Sequence, residues 1–184
     1  MRGLAHAINC VIIKPMYTEE SLLKLLGEFG IKYDYRAHQA VFTCEQANAV
    51  FPEMAGRHCK NLFVKDRDGG MWLLVIPDDR RADLKAIAEK IGSKRLSFCS
   101  ADEMTSCLGV TPGSATPLAV INDVNNRVML VMDAVIMGWD KIPCHPLTNT
   151  ATISIDTEDF RKFITHTGHE LNVVDLTGAT RTEH

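Results

Sequence analysis

Apolar positions along the chain change period several times, and each change marks an element. After Met16, Thr18-Glu19-Glu20-Ser21 precedes Leu22, Leu23, Leu25, Leu26 and Phe29. That spacing predicts a helix with one apolar stripe, closed at Gly30. Ile31, Tyr33 and Tyr35 then alternate with Lys32, Asp34 and Arg36, the period of a strand with one buried face. Thr43 and Gln46 form a capping box, which predicts a helix running to Phe51. Lys60 to Lys65 and Met71 to Ile76 flank Asp66-Arg67-Asp68-Gly69-Gly70, so these two segments are expected to pair as a hairpin.

Further on, Leu84, Ile87, Ala88 and Ile91 share one face of a helix expected over Arg81 to Ile91, with Gly92 closing it. Ser100 with Glu103 caps another that stops at Gly109. Leu118 to Ile121 and Val128 to Asp133 read as a second hairpin around Asn122 to Arg127. Thr152 to Ile155 is a further strand, and Asp156 caps a helix to His166. Hairpins interspersed with single helices predict an α+β fold, one domain with a mixed, largely antiparallel β-sheet flanked by helices. The expected limits are an extension over residues 1–15, with Ile8 to Ile13 as an added edge strand, a domain over 16–176 and a tail over 177–184. No internal repeat or linker divides the chain.

Composition narrows the function classes. Of 184 residues, 46% are hydrophobic and 23% charged, an ordinary globular balance. The longest apolar runs fall far short of the roughly 20 residues of a membrane-spanning helix. A net charge of −3 argues against a protein that wraps nucleic acid with one basic face. Arg57 to Arg95 nevertheless holds ten Lys or Arg against six Asp or Glu, so this stretch is +4 and the remainder −7. A local anionic partner fits the middle segment; scattered solvated charges fit it equally. The six cysteines are widely spaced, with no CxxC pair, and read as reduced thiols of a cytoplasmic protein.

The common catalytic signatures, GxGxxG, the phosphate-binding loop, HExxH and GxSxG, do not occur. Three polar segments stand out instead. Lys60-Asn61 opens an apolar strand, and the plain alternative is a solvated strand end. Thr111-Pro112-Gly113-Ser114-Ala115-Thr116-Pro117 is a loop whose Ser114, Ala115 and Thr116 N–H groups would be free to meet a carbonyl or oxyanion; the alternative is an ordinary turn. Cys144-His145-Pro146-Leu147-Thr148-Asn149-Thr150 sets a histidine before a polar run. His58-Cys59 and Cys144-His145 invite a metal or thiolate reading, but neighbours on a strand point to opposite faces, so neither pair converges by itself.

Together, Lys60-Asn61-Leu62-Phe63-Val64-Lys65-Asp66, Pro112 to Pro117 and His145-Pro146-Leu147-Thr148-Asn149-Thr150-Ala151-Thr152 resemble the YbaK-type editing-domain family associated with prolyl-tRNA synthetase. The similarity is greatest to its free-standing branch that hydrolyses alanyl-tRNA(Pro), and covers Met16 to Asp175. Thr18-Glu19-Glu20, Phe42 to Ala47, Gly168-His169-Glu170 and Val173 to Leu176 also fit. The resemblance implies a trans-editing deacylase, a hydrolase that cleaves the aminoacyl ester of mischarged tRNA(Pro), Ala-tRNA(Pro) first. Its partners would be the tRNA(Pro) acceptor end and prolyl-tRNA synthetase, with no cofactor and no metal. It implies an essential cation at Lys60 and a GxxxP loop, Gly113, Ser114, Ala115, Thr116 and Pro117, that holds the substrate carbonyl while water attacks. His145 would line the pocket, joined by Asn61, Thr43 and His38. Ala115 stands where the family more often has valine, Leu118 where phenylalanine is common, and Cys144 precedes the histidine; the smaller side chain at 115 leaves room for serine. The competing readings are an editing enzyme for serine or cysteine, and a non-catalytic module that binds the tRNA end or the synthetase.

Overall fold

A computed structural model describes residues 15–40, Ala49 and 57–182 of the chain. The expected strand at Ile8 to Ile13 and the helix starting at Thr43 lie outside the described residues. Helix α1 (Glu19–Glu28) opens on Thr18, and the hydroxyls of Thr18 and Ser21 each accept from the other's backbone N–H. It buries Leu22 and Leu26 completely, which stabilises the fold by about 1.5–3 kcal/mol per side chain.

Strand β1 (Tyr33–Ala37) follows as expected. The hairpin forms from β2 (Cys59–Lys65) and β3 (Met71–Pro77), with Lys60 opposite Ile76 and Lys65 opposite Met71. Asp66 holds its turn by accepting the N–H groups of Asp68 and Gly70. Next come β4 (Arg80–Ala82), α2 (Leu84–Ile91), β5 (Ser97–Phe98), α3 (Ala101–Leu108), β6 (Val128–Asp133), β7 (Lys141–Cys144), β8 (Ala151–Asp156), α4 (Thr157–His166), β9 (Leu171–Val174) and β10 (Thr180–Thr182). Three sheets result, in the orders β5-β2-β3-β6-β9, β1-β8-β7 and β10-β4.

The expected α+β class holds. Five of the seven strand pairings are antiparallel; β3–β6 and β6–β9 are parallel. The second hairpin is corrected: Pro117–Asn122 is a 3-10 helix, capped by the Thr116 hydroxyl with proline at its start, and β6 runs parallel beside β3. Thr116-Pro117 is a helix-opening signature that the four apolar residues after it obscured. Likewise α2 starts only after Asp83, whose carboxylate accepts from Lys85 and Ala86 N–H, and the preceding Arg80–Ala82 is a strand paired with β10. Asp156 occupies the N-cap of α4 without a side-chain cap bond; the Thr157 N–H donates to Asp140 O instead.

The five-stranded sheet is covered on both faces. Phe63, Leu73, Val75, Leu130 and Met132 pack with α1, α3, α4 and the three-stranded sheet, through Leu22, Leu108, Phe160 and Ile153. Val64, Leu74, Ile76 and Val131 pack against Ile87 and Ala88 of α2, with Leu176 and Ala179 from the chain end. A central strand covered on both sides loses its polar alternation, which is why Met71 to Pro77 reads as an unbroken apolar run. No helix among the described residues is long and apolar enough to cross a membrane.

Candidate active site

Two loops meet beside the main core. The first leaves α3 through Gly109, whose backbone is left-handed, and enters the 3-10 helix at Pro117. The loop's start is held by buried Asn122, whose amide donates to Leu108 O at 3.0 Å and whose oxygen accepts the Tyr17 N–H from the segment before α1. Within the loop, Pro112 and Gly113 form the corner of a turn closed by Ser114 N–H to Thr111 O at 2.9 Å. Gly113 sits at φ +90°, as the third residue of a type II turn requires. The Ser114 N–H is therefore consumed, which corrects the expectation of three free donors. No acceptor among the described residues takes the N–H of Ala115 or Thr116. Ser114, Ala115, Thr116 and Pro117 are all buried, and the Thr116 hydroxyl is occupied capping Leu118.

The second loop runs from β7 to β8. His145 donates from Nδ1 to Ala151 O at 3.0 Å, so a neutral ring leaves Nε2 as an acceptor. Burial lowers its pKa, with the neighbouring His38 and His58 acting in the same direction against the bond to Ala151. Leu147 is held at φ +68°, a conformation that costs a branched residue about 1–3 kcal/mol. The side chain of Leu147 packs against the main core, which holds the loop in that shape. His38, at the end of β1, donates from Nδ1 to Gln39 O at 2.7 Å, and its Nε2 lies 2.9 Å from the Thr152 hydroxyl. The His38 and His145 rings are 6.4 Å apart. A Cβ added at Gly113 would lie 3.3 Å from Asn149 Nδ2, so the two loops touch.

The start of β2 forms the third side. Along this strand Cys59 and Phe63 pack on the main core, while Leu62 and Val64 face the α2 side. Strand alternation therefore sends Asn61 toward the main core and Lys60 to the opposite face. The Lys60 ammonium donates to Arg80 O at 3.1 Å. Arg80 in turn reaches the fully buried Asp133 at 3.4 Å and the Thr180 hydroxyl at 3.5 Å. The Asn61 amide oxygen is buried without a partner, and so is His58 Nε2.

Cys59 and Cys144 both pack in the main core. Burial raises the pKa of both thiols well above the ordinary value, so neither supplies a thiolate nucleophile at neutral pH. Cys44 and Thr43 lie outside the described residues. No group of three or more metal-binding side chains occurs among the described residues.

Of the residues singled out by sequence, the fold joins His38, His145 and the Gly113 loop around one corner, and directs Asn61 to that side of β2. Lys60 occupies the other face of the same strand end. Sequence reasoning missed His58, whose Nε2 is buried without a partner, and Asn149, which the polar run contained without marking its approach to Gly113.

Comparison with known proteins identifies the family. Residues 38–163 match the family model of the aminoacyl-tRNA editing domain. A prolyl-tRNA editing protein, ProX, of Acetoanaerobium sticklandii is 33% identical over 162 residues, covering 88% of this chain and 99% of that protein. The chain belongs to the aminoacyl-tRNA editing domain family. Prolyl-tRNA synthetase associated domain-containing protein 1 of Xenopus laevis is 36% identical, over 82% of this chain and 92% of its own length. A crystal structure described as a candidate trans-editing enzyme for prolyl tRNA synthetase superposes with a TM-score of 0.64 at 17% identity, covering 85% of this chain and 93% of the other; that likeness concerns the fold. Membership makes the protein a hydrolase of the aminoacyl-tRNA deacylase type, and the matched segment contains both loops and the start of β2.

Proposed function

We propose that this editing protein acts in trans on mischarged tRNA(Pro), removing alanine by hydrolysis of the ester to the terminal ribose. The observation that carries the reading is the Gly113 loop, whose residues Ser114 to Pro117 are buried and where the N–H groups of Ala115 and Thr116 find no acceptor among the described residues. Buried donors of this kind are nearly always paired, so an empty pair suits a ligand oxygen. Placed against the ester carbonyl, they strengthen their hold as negative charge develops on the oxygen in the transition state. An aminoacyl ester is already activated, and a positioned water suffices as nucleophile. His145 Nε2, an acceptor in the neutral ring, orients that water or the neighbouring ribose hydroxyl. Lys60, its ammonium fixed on Arg80 O, supplies positive charge for the phosphate of the terminal nucleotide.

Ala115 sits in the carbonyl-binding loop, so its side chain bounds the space left for the amino acid. One methylene is worth only about 1–3 kcal/mol of discrimination, and a second site that admits alanine but not the larger proline supplies what a synthetase pocket lacks. Contact is limited to the acceptor end, which agrees with a local excess of +4 over Arg57 to Arg95 within a chain of net charge −3. Prolyl-tRNA synthetase is the natural source of the substrate and the expected docking partner, in the cytoplasm. The test is hydrolysis of tRNA(Pro) bearing alanine or serine by the wild type and Ala115→Val. Valine is expected to spare alanine and slow serine roughly tenfold or more, the worth of one crowded heavy atom; an unchanged preference would remove Ala115 from the pocket wall.

A further inference from the structure

The two-stranded sheet sets two arginines side by side. β4 and β10 pair antiparallel with Arg81 directly opposite Arg181. Residues so placed project from the same face, with Cβ atoms about 4.5–5.5 Å apart. Alternation sends Arg80, Ala82 and Thr180 to the other face, where Arg80 bonds Asp133 and Thr180, and Ala82 packs on the second core. Arg81 and Arg181 are therefore turned outward. Both are exposed, and neither guanidinium makes an ion pair or a hydrogen bond among the described residues. Like charges in register weaken a strand pair, so the arrangement favours an anion held between them. Its place on the molecule is fixed by Lys60, whose ammonium donates to Arg80 O at 3.1 Å. That carbonyl belongs to the peptide bond joining Arg80 to Arg81, so the lysine assigned to the terminal nucleotide ends against the backbone that carries the pair.

Chemistry selects the occupant. A guanidinium is a planar fork of N–H donors that meets two oxygens at once. A phosphodiester offers two non-bridging oxygens and one negative charge, and two forks rooted about 5 Å apart can close on it from both sides. A tRNA acceptor strand presents such groups in series, beginning at the nucleotide that Lys60 meets. We infer that Arg81 and Arg181 together grip one backbone phosphate of the tRNA acceptor strand, beyond the phosphate at Lys60. The inference rests on the deacylase reading above. It brings β10, at the far end of the chain, into substrate binding, and makes the protein prefer an aminoacyl ester carried on a polynucleotide to the same ester on a lone nucleoside.

The test separates binding from chemistry. Dissociation constants for uncharged tRNA(Pro) are measured across a salt series with wild type, Arg81→Gln, Arg181→Gln, the double variant and Arg81→Lys, each with its melting temperature. Each glutamine is expected to weaken binding about tenfold, and the double variant to lower the slope of log Kd against log salt by about one. Arg81→Lys keeps the slope and loses part of the affinity, because it retains the charge without the fork. Since both arginines hold one phosphate, the double variant loses less than the product of the single effects. Melting temperatures stay level or rise as the opposed charges are relieved. Unchanged affinity and slope would overturn the inference and leave the pair to an acidic protein surface; so would a melting temperature several degrees lower, the signature of a structural role. Kinetics keep the two readings apart. The ratio of kcat/KM for alanyl-tRNA(Pro) to that for the alanyl ester of adenosine, which has no phosphate, is expected to fall about tenfold in each glutamine variant, and equal losses on both substrates would count against the pair. If the wild type hydrolyses neither substrate, the deacylase reading falls, while the binding series still decides for or against the arginines.

Discussion

Gly113 places a demand on a single residue. Its φ of +90° suits glycine alone among ordinary residues, and any Cβ would sit 3.3 Å from the Asn149 amide. Gly113→Ala is expected to lose about 1–2 kcal/mol of stability from the left-handed backbone. Because the strain lies beside Ala115, deacylation should fall further than this loss of folded protein explains. Chemical denaturation alongside single-turnover kinetics would check it, and a variant with wild-type rate would detach the turn from the site. His145 makes a second demand, through its charge. Burial lowers its pKa in the folded protein, so the unfolded chain takes up the proton first as pH falls. The stability it contributes is complete above the unfolded value of about 6.5 and drains away as pH drops through that value toward the folded one. Melting temperature should decline from pH 7 to pH 5 in the wild type and less steeply in His145→Gln; parallel curves would mean that His145 carries none of this dependence. What was legible at this scale followed chemistry that stands alone, such as a proline-glycine corner or a lysine at a strand start. His58 was not, because nothing in a histidine beside a cysteine shows that a ring nitrogen will be buried without a partner.

Among the elements, the short pairing of β4 with β10 has more influence than its three residues per strand suggest. β4 supplies the Arg80 carbonyl that holds Lys60, and β10 supplies Thr180 to the Arg80 guanidinium. Arg80 also binds Asp133, buried at the end of β6. Removing residues 177–184 is expected to take Ala179 out of the second core and free Arg80. Activity should therefore drop together with a fall of several degrees in melting temperature. Thr180→Val separates the effects: it keeps the apolar volume, and should reduce deacylation several-fold with a melting temperature close to wild type. Unaltered kinetics in that variant would show that Lys60 does not depend on this chain of contacts. Local elements were largely readable beforehand. The capping box of Ser100 and Glu103 starts α3 as expected, with the Ser100 N–H bonded to Glu103 Oε2 at 2.7 Å, and Gly92 and Gly109 close α2 and α3. Pairing between distant segments was not readable: β6 finds β3 across more than fifty residues, and nothing near Val128 announces a parallel neighbour. For the same reason Leu118 to Ile121, apolar and short, fitted a strand as well as the 3-10 helix it forms.

At the scale of the molecule, one sheet covered on both faces carries the proposed catalytic corner at the start of β2, and on that reading the positive charge offered to tRNA is local. The rate is expected to survive chelation by EDTA unchanged, since the mechanism assigns every task to the chain, water and the substrate; activity lost to the chelator and restored by a divalent metal would refute that assignment. The central claim is a Lys60-dependent editing deacylase selective for a small amino acid. Its most direct test is single-turnover hydrolysis of tRNA(Pro) charged separately with alanine, serine, cysteine and proline, by the wild type and by Lys60→Ala of verified melting temperature. Rapid loss of alanine, sparing of proline, and a fall of about a hundredfold or more in the variant, roughly 3 kcal/mol of transition-state stabilisation, are the predicted results. Hydrolysis no faster than in buffer for all four, or an undiminished rate without the lysine, would contradict the account.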